Sequence, residues 1–74
     1  MPVNDRLIPT TIFEALGRSG ALTADSLYKR VKKIHGDPGN KYFDDTLMIM
    51  ELQGLVKVYK MSRAKRRVEL ARRR

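Results

Sequence analysis

Hydrophobic positions along the chain fall into three stretches of helical spacing, followed by one that alternates. Ile8, Ile12 and Leu16 recur at four-residue intervals with Phe13 and Ala15 beside them, which predicts a first helix with one apolar face. Pro9 presets the first turn, and Thr11 with Glu14 has capping-box spacing. Gly17 and the Ser19-Gly20 pair mark the end, and Ala21-Leu22 follows as a short extended piece. Thr23 is the expected N-cap of a second helix, with Asp25 in the first turn, where the helix dipole favours an acid. Leu27, Val31 and Ile34 form its expected buried stripe; Lys29, Lys32 and Lys33 face outward, with Arg30 near the boundary. His35 to Gly39 is a turn by composition. Asn40 is the expected cap of a third helix, from about Lys41 to Gln53, whose Phe43, Leu47 and Met50 fall within about 60° of one another.

Gly54 is the expected stop of this third helix, Leu55 is expected to turn the corner into the core, and beyond them the period changes to two. Val56, Val58 and Lys60 lie on one side of a predicted strand, and Lys57, Tyr59 and Met61 on the other. A basic turn follows, then a return strand carrying Val68 and Leu70. The rival for Ser62 to Arg74 is a basic helix, because the segment lacks the Gly, Asn or Asp of a tight hairpin and is rich in helix formers. The Val68-Glu69-Leu70 alternation, and the need of Val56 to Met61 for a pairing partner, favour the hairpin. The expected organisation is an arm over residues 1–8, one α+β domain over 9–71 in the order α-β-α-α-β-β, and a basic tail over 72–74.

Charge adds a direction to this layout. Before Leu55 there are 7 Lys+Arg and 7 Asp+Glu; from Val56 onward there are 9 Lys+Arg and the single acid Glu69, so the net charge of +8 belongs to the last 19 residues. A neutral body with a positive arm points to a polyanion, above all nucleic acid. The 74 residues suffice for one domain, and a domain of this size buries only about 60% of its surface. With no Cys and one His, neither a disulfide nor a zinc site is expected, and no cofactor is implied. No apolar run has the length of a signal peptide or a membrane span, so the expected location is the cytoplasm, in association with the nucleoid. His35 with Asp37 has no nucleophile motif or phosphate-cradling loop beside it. Asp44 and Asp45, adjacent on a helix, point about 100° apart and do not form a two-carboxylate site. An enzyme is not expected.

The residues Leu47-x-x-Met50-Glu51-x-x-Gly54-Leu55-Val56 resemble the Leu-x-x-Leu-Glu-x-x-Gly-Leu-Val signature of winged helix-turn-helix domains, and Gly20-Ala21-Leu22-Thr23 through Leu27 is similar to the segment that leads into their second helix. The resemblance covers roughly Pro9 to Leu70. It implies a third helix in the major groove and a wing along phosphates or in the minor groove. Carried onto this chain, the wing contacts are Lys57, Lys60, Arg63, Lys65, Arg66 and Arg67, with Lys41 and Tyr42 from the third helix; Tyr59 and Tyr42 are also candidates for stacking on bases or sugars. The helix departs from the pattern, because its outward positions Lys41, Asp44, Asp45 and Met48 include two carboxylates that repel phosphate.

A second departure is the apolar character of Met48, Ile49 and Leu52. These lie within about 100° of one another and opposite the core stripe. Such a face marks either association or cover by the first helix and the N-terminal arm. The expected function is a DNA-binding winged helix of low sequence specificity (RNA is possible), acting as a homodimer in a regulatory or architectural role. The alternative is a protein-interaction winged helix, a small subunit of a replication, transcription or ribosome assembly.

Overall fold

The computed structural model describes residues 7–71, in the order α1 Ile8–Ser19, β1 Ala21–Thr23, α2 Ala24–His35, α3 Asn40–Leu52, β2 Val56–Lys60 and β3 Arg66–Leu70. This is the expected α-β-α-α-β-β order, and Arg66–Leu70 is a strand and not part of a basic helix. The three strands form one antiparallel sheet in the order β1-β3-β2. Val58 and Leu22 both pair with Val68, so the return strand is the middle of the sheet. Most of the N-terminal arm, and the basic tail, lie outside the described residues. Ile8, which the domain bounds leave in the arm and the four-residue spacing puts on the first helix, is the first residue of α1 and fully buried.

The core sits between the helices and one face of the sheet. Ile8, Ile12 and Leu16 of α1, Leu27 and Val31 of α2, Phe43, Leu47 and Met50 of α3, and Val56 and Val68 of the sheet are all buried. Fully burying one such side chain stabilises by about 1.5–3 kcal/mol before the entropy of ordering it is counted. Tyr28 and Phe43 meet edge to face, with ring centroids 5.2 Å apart, and so join α2 to α3. Thr46, the one buried polar side chain among the described residues, donates to the Tyr42 carbonyl one turn back at 2.9 Å.

The helix ends show which local signals prevail. Thr23 caps α2 as expected, its hydroxyl accepting from the Ser26 amide at 3.1 Å. Gly54, at φ 77, ends α3; its amide donates to the Glu51 carbonyl and the Leu55 amide to that of Met50, which is the Schellman pattern. Four expectations fail. The α1 cap is Leu7, without a side-chain bond, because Thr11 lies inside the helix and bonds His35 Nε2 at 2.6 Å, so the capping box does not form. Ile34 is 58% exposed. It lies about 50° to one side of the stripe formed by Ala24, Leu27 and Val31, and half-buried His35 lies about 50° to the other, where its bond to Thr11 holds it inward. Gly39, at φ 85, precedes α3, and Asn40 is already helical. Leu55 is exposed; it lies in the bend before β2, and Val56, the first residue of the strand, takes the inward side.

Candidate nucleic-acid interface

The β2–β3 hairpin carries the positive charge. Its turn runs from Ser62 to Lys65: the Lys65 carbonyl accepts from the Met61 and Ser62 amides at 2.9 and 3.2 Å, and the Lys65 amide donates to the Ser62 carbonyl at 3.4 Å. Among the described residues no non-glycine residue has positive φ, so the turn closes without glycine or asparagine. Arg63 and Lys65 therefore sit exposed at the tip.

Alternation divides the hairpin into two faces. Val56, Val58 and Lys60 of β2 share the inner face with Arg66, Val68 and Leu70 of β3, and Lys57 and Tyr59 share the outer face with Arg67 and Glu69. The core fills the inner face as far as Val58 and Val68. Beyond them Lys60 and Arg66 carry that face out toward the start of α3. There Arg66 Nη2 meets Asp44 Oδ1 at 2.8 Å, a contact across 22 residues of sequence. On the outer face Arg67 Nε meets Glu69 Oε2 at 3.0 Å.

Two of the six wing cations are thus already paired. Lys57, Lys60, Arg63 and Lys65 make no ion pair among the described residues. They run from the middle of β2 through the tip and are all exposed. The free edge of β2 is covered at one point, where the Val58 amide donates to Glu51 Oε2 of α3 at 3.4 Å. α3 therefore supports the hairpin through two acids, Asp44 beside its tip and Glu51 along its edge.

The third helix presents a different surface from the wing. Lys41 pairs with Asp45 one turn on at 3.3 Å, within the helix. Asp44 turns to the wing flank, and Asp45, about 100° further round the helix, points toward Lys41 and the groove beside Tyr42. Tyr42 is half-buried, packs against the core and lines a groove with Pro9, Ile49 and Gln53. It is on the side of α3 away from Arg66, so it does not join the wing cations. Met48, Ile49 and Leu52 are 53%, 53% and 81% exposed, so α3 is apolar on two sides and α1 leaves the second side open. Cover by residues 1–6 lies outside the described residues.

Between α2 and α3, Asp37 organises the turn. Its Oδ1 accepts from the Gly39 amide at 3.0 Å and from the Tyr28 hydroxyl. The Tyr28 bond, and then the Gly39 amide, hold the Asp37 carboxyl below its ordinary value, while the same Asp37 bond raises the Tyr28 phenol. A crevice beside this turn is lined by Asp25, Tyr28, Phe43, Asp44, Ala64 and Arg66, joining both helix starts to the wing tip. Sequence reasoning missed the Arg66–Asp44 contact and the part played by Asp37; the Asp-Pro-Gly run of residues 37–39 was the available signal for the second.

Among the described residues no three His, Cys, Asp or Glu side chains gather as metal ligands, and no helix is long and apolar enough to cross a membrane. Comparison with known proteins found no matching family model, curated protein or solved structure.

Proposed function

We propose that this chain is a winged-helix domain that binds nucleic acid, chiefly DNA, through its basic wing and with little sequence preference. The observation that carries this reading is the exposed run Lys57, Lys60, Arg63 and Lys65 on one hairpin, free of ion pairs among the described residues. The chemistry is electrostatic, with each cation that meets a phosphate releasing condensed counterions. Base reading by α3 is weak, because its outward acids are held in ion pairs and Met48 offers no hydrogen bond to a base edge. A regulatory or architectural role at the nucleoid fits low specificity.

The test is the salt dependence of binding to several unrelated duplexes, followed by fluorescence anisotropy. Replacing Lys60, Arg63 and Lys65 together with Ala is expected to flatten the log K against log salt slope by about 2.7, at about 0.9 per phosphate. An unchanged slope refutes the wing as the binding element, and a sharp consensus site refutes low specificity. A second reading rests on the exposed Met48, Ile49 and Leu52. Under it this face docks a second copy or a larger nucleic-acid assembly, and the wing contacts nucleic acid secondarily.

A further inference from the structure

The outer face of the sheet is a second surface on the same hairpin. Register sets out its side chains in two rows. Thr23, Arg67 and Tyr59 lie side by side across β1, β3 and β2, and Ala21, Glu69 and Lys57 form the next row. The three helices pack on the other side, and the face spans about 10 Å across its strands. Its β1 third is low, because Ala21 and Thr23 are small. The tall groups are Tyr59, Arg67 and Lys57.

The three tyrosines differ in what they do. Tyr28 donates to Asp37 and packs edge-on against Phe43, and Tyr42 is half-buried against the core. Tyr59 is 45% exposed, directly across from Arg67 on the sheet. Cross-strand neighbours of this kind stand about 5 Å apart, and Arg67 is fixed along the strand by Glu69 at 3.0 Å. A guanidinium held at its edge keeps its flat faces for stacking. Glu69 also makes this face less cationic than the tip, so phosphate attraction alone does not account for its composition.

We propose that the outer face is a stacking platform for single-stranded nucleic acid, with one base on the Tyr59 ring, Arg67 beside it and Lys57 on the adjoining phosphate. The proposal rests on the wing reading above and adds the strandedness of the ligand. A duplex buries its base faces and offers a protein only edges and phosphates, so an aromatic ring on an open sheet gains little from it. A single strand presents base faces, and an aromatic flanked by cations engages them without regard to sequence.

The experiment uses the intact chain with a labelled single strand of about 12 nucleotides, a length within the span of one small binding domain, and a duplex of the same sequence. Tyr59→Leu is expected to weaken single-strand binding by about 5- to 150-fold while leaving duplex binding unchanged, and Tyr59→Phe to restore it. The chain has no Trp, so Tyr59→Trp introduces a single indole whose emission is expected to be quenched by the single strand and not by the duplex. If the parent binds both probes and Tyr59→Leu affects neither, or both equally, the platform is overturned and the wing reading stands. If the parent binds neither probe, both are overturned. An unchanged thermal melt of Tyr59→Leu assigns any loss to the surface and not to folding.

Discussion

Asp44→Asn is expected to strengthen nucleic-acid binding, although it removes an ion pair from the folded protein. Arg66 Nη2 lies 2.8 Å from Asp44 Oδ1, and the two side chains are 38% and 51% exposed. A pair this open contributes about 0.2–1 kcal/mol to folding. In the parent, Arg66 must leave Asp44 before it can meet a phosphate, and the pair energy is subtracted from its contact. Removing the carboxylate frees the guanidinium, which at low salt corresponds to about a 1.4- to 5-fold gain in affinity from that same 0.2–1 kcal/mol. It also adds up to one phosphate contact, steepening the log K against log salt slope by about 0.9. Arg66→Ala supplies the control: its effect should be small in the parent and larger on the Asp44→Asn background, so the double-mutant cycle is non-additive. The assay is an anisotropy titration across a salt series, with a thermal melt of each variant. If Asp44→Asn leaves the slope unchanged while Arg66→Ala alone flattens it by about 0.9, Arg66 already contacts phosphate in the parent and the competition argument is wrong.

The other predictions concern the frame and the apolar face. Gly54→Ala puts a Cβ at φ 77 in the Schellman turn, at a cost of about 1–2 kcal/mol, so the melting temperature should fall by about 4–8 °C per kcal/mol; a neutral result means that the turn rearranges freely. Asp37, held below its ordinary carboxyl value by Tyr28 and Gly39, contributes stability that is complete above that value of 3.8 and lost as pH falls through its lowered folded value. Tyr28, raised above 10.0, acts in the opposite sense: its contribution is complete below that value and lost as pH rises through the folded one. Asp37→Asn should flatten the acid limb of melting temperature against pH, and an unchanged limb assigns acid unfolding to other groups. Ile49→Glu is expected to turn a dimeric parent into a monomer by light scattering, with a melting temperature that no longer depends on concentration. A parent that is already monomeric at micromolar concentration rules out the homodimer.

What the chain determined by itself is whatever a few neighbouring residues settle. The four-residue spacing of Ile8, Ile12 and Leu16, the Thr23 cap and the Gly54 stop each involve groups within about one helical turn, and all three appear in the fold. The alternation of Val56 to Lys60 similarly decides which side chains line the two faces of the wing, and the run of Lys and Arg after Leu55 puts the charge there. Tertiary structure decided where local options were nearly equal in energy. Thr11 had the spacing of a cap, yet a turn of α1 begins ahead of it and its hydroxyl bonds His35, 24 residues away. Ile34 and His35 compete for the last inward place on α2, and the bond to Thr11 gives that place to His35. Arg66 and Asp44 lie 22 residues apart, and no periodicity relates them. Only the folding of the hairpin back over the start of α3 brings these charges together, because an ion pair between two elements depends on where the core sets them and not on either segment alone.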